Sequence, residues 1–493
     1  MMYNGNMRMK KRHPFKVVAV FLAFIVVAGF SWLGFQFVTK TGLFRIPGIV
    51  YYDESLTEDE IALLNTVFTE DVVLENDVHV SGSSDHTRPE PRDNTFLTGI
   101  DVPVADFYDV RSDISEFESD EFEYIPIEEL NFSKKLLSID QEYFLDNFDA
   151  GALFRSITFD SESFSDEILP LVENLFSHET FPDKNSVLTF AQTGVTALSR
   201  GMNQKLKAVG NGYYFAEKIG DYLSGFDITH TSNESSFSRS ASSENICSDI
   251  RFKDTLTAIG LDIVELTGNH NQDCGIDDAA STIDYYRESS IEIVGGGKNA
   301  DEAAIPLEID DKGAKITFLA YNLSTGGATH GNTPGANQYY EENAIQEINA
   351  AKERGDFVLV DVQYYECSGY ASEYEDTTCD YANSAAGDQV GFFRHLIDLG
   401  ADMVVGTSAH QPQTFELYDD GVIYYGLGNL FFDQVWWPGT TRSLILAHYF
   451  YNNQLLQTKT VPTVYDKNLQ TSLMDEETRR WFINRLLQVR PQS

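Results

Sequence analysis

From Ser186 onward, short apolar runs rich in β-branched residues alternate with stretches of helical periodicity, and this alternation restricts the chain to a layered α/β domain. The runs are Val187 to Ala191, Ile263 to Leu266, Ile291 to Val294, Ile316 to Tyr321, Phe357 to Val362 and Met403 to Gly406. Helices fit between them, as at Asp277 to Arg287 just after Cys274-Gly275. Near the end, Thr414 to Tyr418 and Val422 to Tyr425 flank Asp419-Asp420-Gly421, the composition of a tight hairpin turn. That hairpin delivers the segment Gly426 to Asp433. Gly295-Gly296-Gly297 lacks the spacing of a phosphate-cradling loop and reads as a flexible turn.

Polar clusters follow these strands one after another. They are Asn233-Glu234, Asn269-His270 with Asp273, Gln363 with Glu366, His410 with Gln413, and Asn429 with Asp433. In an open α/β sheet, the carboxyl ends of the strands are where ligands bind, so the clusters are expected to converge on one edge. Imidazoles, carboxylates and amides together suit a divalent ion such as Mn, Fe or Zn that activates water and binds an anionic oxygen. Each cluster read alone is also an ordinary turn or helix cap.

The 493 residues carry 76 acidic and 35 basic side chains, a formal charge of −41, which argues against a nucleic-acid partner. The amino terminus runs the other way. Arg8, Lys10, Lys11, Arg12 and Lys16 precede the apolar stretch Val17 to Val38, which is long enough to cross a bilayer. With the basic tail 1–16 left in the cytoplasm, 17–38 is expected to be an uncleaved anchor and the rest of the chain extracytoplasmic. An acidic region, 41–183, is expected to form a smaller, partly folded α+β domain, with Ser81 to Asn94 as an exposed linker. The main domain is placed at 186–463 and an amphipathic helix at 464–493. The four cysteines suggest Cys247 with Cys274 and Cys367 with Cys379, although three pairings are open.

In their order, Asn233-Glu234, Gly260-Leu261-Asp262, Asn269 to Gly275, Gly295 to Gly297, Gly400 to Gly406, His410 with Gln413, and Tyr424 to Asp433 resemble the CapA family. These are proteins of capsule and poly-γ-glutamate synthesis on a calcineurin-like metallophosphoesterase fold. The resemblance covers about Ser186 to Thr463 and implies a sandwich of mixed sheets flanked by helices. It also implies a membrane-anchored component acting on an envelope polymer or within the machinery that makes or exports it. Carried over residue by residue, it makes Glu234, Asn269, His270 and His410 metal ligands and Asn269, His270 and His410 catalytic. Glu366, Gln413, Asn429 and Asp433 become substrate contacts.

Three positions depart from the family pattern. Val195 stands where the resemblance implies a ligating aspartate, Gln363 where it implies a histidine, and Ser408 where it implies the first of two histidines. The expectation is therefore a degraded metal site, holding one divalent ion or none, in a binding or scaffold component. The alternative is an active metal-dependent hydrolase or transferase acting on an envelope polymer or a phosphorylated precursor. Replacement ligands are to be sought at Asp227, His230 and Asp361.

Overall fold

The computed structural model describes residues 50–52, 78–86, 88–89, 95–159, 181–324, 326–364 and 388–491, with scattered positions between 56 and 64. The expected anchor 17–38, Glu366, Cys367 and Cys379 lie outside these residues. No helix among the described residues is long and apolar enough to cross a membrane.

The chain divides into two compact units. The first comprises Met1–Ser83, Pro91–Phe96 and Ile157–His178. In it β1 (Val50–Tyr52) pairs in parallel with β2 (Val78–Asp85), from Val50 opposite Val78 to Tyr52 opposite Val80. β2 runs through Asp85, which corrects the expected linker at its amino-terminal end. Ser83 to Asp85 are exposed and polar, so backbone pairing without an apolar face makes them a strand.

The second unit comprises Ser84–Glu90, Leu97–Ser156 and Glu179–Ser493. Where the sequence places a boundary near Asp183, the contacts draw residues 97–156 into the unit that holds the large sheets. The strands here are β3 (Thr95–Asp106), β4 (Glu123–Pro126), β5 (Lys134–Leu136) and β6 (Leu153–Phe159), and both β4 and β5 run antiparallel to β3. Ile100, Val102, Val104, Leu136 and Phe154 share one apolar cluster with Ala447, Tyr449 and Leu456. Leu136 N donates to Gln457 Oε1 at 2.6 Å, and Tyr108 Oη accepts from Leu417 N at 2.8 Å.

Two large sheets form the middle of this unit. One contains β7 (Leu188–Thr196), β8 (Ile228–Asn233), β9 (Ile263–Glu265), β10 (Glu292–Val294), β19 (Asn429–Phe431), β20 (Arg442–Tyr451), β21 (Gln454–Tyr465) and β22 (Thr471–Leu473). Its order is β10-β9-β8-β7-β20-β21-β22, with β19 also paired to β7. The other contains β12 (Leu307–Asp311), β13 (Ala314–Asn322), β15 (Phe357–Gln363), β16 (Met403–Gly406), β18 (Gly421–Tyr424) and β17 (Phe415–Tyr418), in that order. β7 to β10 pair in parallel with one another, and so do β13, β15, β16 and β18. The expected hairpin is present between β17 and β18, and Asp419 takes the turn at φ 50°.

Strand parity assigns each face. Ile316, Phe318, Phe357, Leu359, Met403 and Val405 of one sheet share a core with Leu188, Phe190, Leu444 and Leu446 of the other. Their neighbours point outward, Leu319, Val358 and Val360 onto helices Glu341–Arg354 and Gln389–Asp398, and Ala191 and Val264 onto helices Gly201–Val209 and Ile276–Glu288. The layers are therefore helix, sheet, sheet, helix, an α/β sandwich as expected. Helix Glu476–Gln488, capped by Asp475, adds Phe482, Ile483 and Leu486 to the inter-sheet core.

The glycine run is not a flexible turn. Gly296–Gly297 forms β11, antiparallel to β14 (Gly335–Ala336), and a Cβ at Gly296 would lie 2.4 Å from Leu266 Cβ. Close packing against the neighbouring strand, not freedom, requires glycine there.

The same parity brings a polar layer into the space between the sheets. Thr458 Oγ1 lies 2.9 Å from His448 Nδ1, and His448 Nε2 lies 3.1 Å from Gln192 Oε1. Gln192 Nε2 donates to Asp361 Oδ1 at 2.5 Å, and the other Asp361 oxygen lies 3.3 Å from His230 Nε2. All but Thr458 are fully buried. Burial lowers both imidazoles to about 3, whereas burial and the charge of Glu265 raise Asp361 well above the usual carboxylate range. The histidines are thus neutral in the fold and carry protons in the unfolded chain below about 6.5.

Because the unfolded state then binds more protons, each histidine destabilises the fold as pH falls from about 6.5 toward 3. A His448→Gln variant keeps a donor and an acceptor but does not titrate. Its stability, measured by urea unfolding across that interval, is expected to depend less steeply on pH than that of the wild type, by about 1.4 kcal/mol per pH unit. Equal slopes would contradict a neutral buried His448. Cys247 and Cys274 are bonded, as the sequence suggests, across a separation of 27 residues. A Cys247→Ser/Cys274→Ser variant should lose about 3–4 kcal/mol of stability in the same assay.

Candidate functional site

The carboxyl ends of β8, β9, β15 and β16 and the start of β19 bring one member of each of the five expected polar clusters together. Glu234 follows β8, is fully buried, and is held by its backbone N–H to Thr196 O at 3.1 Å. The loop after β9 lies directly against it, since a Cβ at Gly268 would fall 2.8 Å from Glu234 Cα. Only glycine allows that approach.

This loop is tied down from several sides. Thr267 donates from its backbone N–H and its hydroxyl to Glu265, Asn322 Nδ2 donates to Thr267 O at 2.7 Å, and Asn271 Nδ2 donates to Leu266 O at 2.7 Å. Ser236 Oγ donates to Asn271 O at 2.6 Å, and the Cys247–Cys274 bond anchors the loop's far end. Asn269 is thereby presented to β15, where Gln363 Nε2 donates to its Oδ1 at 3.2 Å. Gln363, a departure from the family pattern, therefore joins the two sheets at the site.

His410 is buried, with Nε2 4.0 Å from Glu234 Oε2 and Nδ1 2.9 Å from Asn429 Oδ1. Asn429 Nδ2 donates to Thr440 O at 3.0 Å, so its Oδ1 is the atom turned to the ring and accepts from Nδ1–H. That tautomer puts the unprotonated Nε2 on the side of Glu234. Phe432 lies against the imidazole with ring centroids 5.2 Å apart.

The other expected site residues have different surroundings. His270 turns outward and bonds Asp273 Oδ2 through Nδ1 at 2.8 Å, with a quarter of its side chain exposed. Gln413 pairs with Gln389 in a buried amide contact at 3.1 and 3.2 Å. Asp433 accepts from Arg200 at 2.5 Å and from Gly201 N at 2.9 Å, at the start of helix Gly201–Val209. Arg200 takes a positive φ of 48° to reach it, which no local sequence signal announces.

Val195 is fully buried and clusters with Ala197 and Phe432. The position where the resemblance implies an aspartate is thus apolar, and it adjoins the ring that packs on His410. None of the proposed replacements comes to the site: Asp227 binds Lys312 and Thr189, and His230 and Asp361 belong to the inter-sheet layer. Among the described residues no group of three or more His, Cys, Asp or Glu side chains is arranged to hold a metal ion. The described residues bring one carboxylate, Glu234, one imidazole, His410, and the amides of Asn269, Gln363 and Asn429 to the site.

Residues 189–434 match the family described as "Bacterial capsule synthesis protein PGA_cap". The "Capsule biosynthesis protein CapA" of Bacillus anthracis is 24% identical over 279 residues, covering 54% of this chain and 64% of that protein. The "PGA biosynthesis protein CapA" of Bacillus subtilis (strain 168) is 29% identical over 189 residues, covering 38% and 46%. A "Probable polyglutamine synthesis accessory protein" of Mycobacterium tuberculosis is 27% identical over 188 residues, covering 36% and 46%. The chain thus spans between 46% and 64% of the length of these relatives. The crystal structure of TT1561 of Thermus thermophilus aligns with 54% of this chain and 99% of its own at 11% identity, with a TM-score of 0.29. From the family match and the shared order of its strand-end segments, the chain belongs to the CapA family of capsule synthesis proteins.

Proposed function

We propose that this protein is a membrane-anchored, extracytoplasmic component of the synthesis or export of a capsule or poly-γ-glutamate-type envelope polymer, and that its site binds rather than hydrolyses. The observation that carries the binding role is Val195 in its apolar cluster with Ala197 and Phe432, beside His410. An apolar side chain in a ligand's place lowers metal affinity, and Asn269 and Gln363 bring amide groups suited to a polar ligand to the same edge. The names of the relatives support the process, and the basic flank with Val17 to Val38 supports the anchor.

A second reading, a metal-dependent hydrolase or transferase, is favoured by the approach of Glu234 to His410. In that case Glu234, His410 and Asn269 would hold one divalent ion that supplies Lewis acidity. Metal content of the full chain, measured by mass spectrometry after incubation with Mn or Zn and dialysis, separates the two. Well under one ion per chain is expected, unchanged in a His270→Ala/His410→Ala variant. About one ion per chain, lost in that variant, would overturn the binding reading.

A further inference from the structure

A cavity of about 310 Å3 lies between the β3–β5 region, β21 and helix Glu476–Gln488, and none of its lining residues belongs to the site described above. Phe107, Leu136, Phe415, Val461, Ile483 and Leu487 form an apolar wall. Lys135, Lys459 and Arg479 bring three cations to the same space.

The cations are not equally engaged. Arg479 is paired with Glu476 and donates to Ser112 Oγ at 3.1 Å. Lys459, also on the lining, is paired with Asp146 at 2.8 Å. Lys135 differs, because the one hydrogen bond of its ammonium among the described residues goes to the Asp109 carbonyl oxygen at 2.5 Å, and no described carboxylate lies within ion-pair distance. An ammonium has three donors, so two remain for a guest. Its cost of burial is offset when an anion completes the pair. A cavity of this size suits a small molecule, and its lining sets that apolar wall against polar and charged groups that include Asp109, Asp146 and Glu476.

We propose that this cavity binds a small amphipathic carboxylate, with the Lys135 ammonium holding the carboxylate and the Phe107, Phe415, Ile483 and Leu487 wall covering the apolar part. The ligand class follows from the pairing of one unpaired cation with an apolar wall. A purely inorganic anion would leave the wall uncovered, and a neutral amphiphile would leave the ammonium without its partner. Burial and the nearby Arg479 guanidinium bring Lys135 down to about 8, against the opposing pull of Asp109, Glu116 and Glu476. Binding therefore depends on pH above neutrality, since the anion needs the protonated amine.

Octanoate, octanamide and inorganic phosphate, titrated separately into the full chain by isothermal calorimetry at pH 7, test the proposal. Octanoate should saturate at one per chain, while octanamide and phosphate bind at least tenfold more weakly. Lys135→Met and the cavity-filling Leu487→Trp should each weaken octanoate at least tenfold while the unfolding transition stays cooperative. Affinity should also fall between pH 7 and pH 9, a range in which octanoate itself stays ionised. The proposal is overturned by any of four results: no saturable octanoate binding, octanamide or phosphate binding as tightly as octanoate, a folded variant binding like the wild type, or affinity that is flat with pH.

Discussion

The proton-sharing contacts between the two sheets govern the rest of this fold. Thr458, His448, Gln192 and Asp361 form one chain of hydrogen bonds, and His230 closes on its end. These groups are away from water, so each unmade contact costs more than a surface one, and the register shown makes the Thr458–His448–Gln192–Asp361 bonds together. A slip of one residue would turn the slipped strand's members onto the opposite face of its sheet. Fixing Asp361 also fixes Gln363 two residues on, and fixing His230 fixes Glu234 four residues on. The inner layer thus sets the positions from which the site is built.

At the site, the chemistry follows from which groups share one edge and which do not. Glu234, Asn269, Gln363, His410 and Asn429 meet, while His270, Gln413 and Asp433 are engaged elsewhere. What assembles is rich in amides and poor in carboxylates, and Val195 puts a hydrocarbon where charge would favour a cation.

The central strands were legible in the sequence because parallel strands buried on both faces read as unbroken apolar runs. β20 and β21 were not, because His448 and Thr458, which face the inter-sheet layer, and Gln457, which accepts from Leu136 N on the other face, interrupt their apolar pattern. Asn269 and His270 looked equivalent as neighbours, yet successive side chains of a turn point apart, and only Asn269 faces β15. Asp433 looked like a site residue because Arg200, its partner, lies 233 residues away in the chain. The glycine run misled for a related reason, since what demands glycine there is Leu266, a neighbour in space. The boundary near Asp183 followed a change in composition, whereas residues 97–156 are joined to the large sheets by contacts with β20 and β21 that composition does not express.

The strand order also carries a consequence in time. β7 pairs on one side with β8, made soon after it, and on the other with β20, which is separated from it by most of the domain. Until the segments 429–431 and 442–451 have been synthesised, that flank of β7 has no permanent neighbour, and the last part of the inter-sheet core waits for Phe482 and Leu486. Pairing so remote in sequence is slow, because the closure entropy falls due before the contacts that offset it are made. A chain of this design leaves an unshielded strand edge late into its synthesis, one for a chaperone to cover.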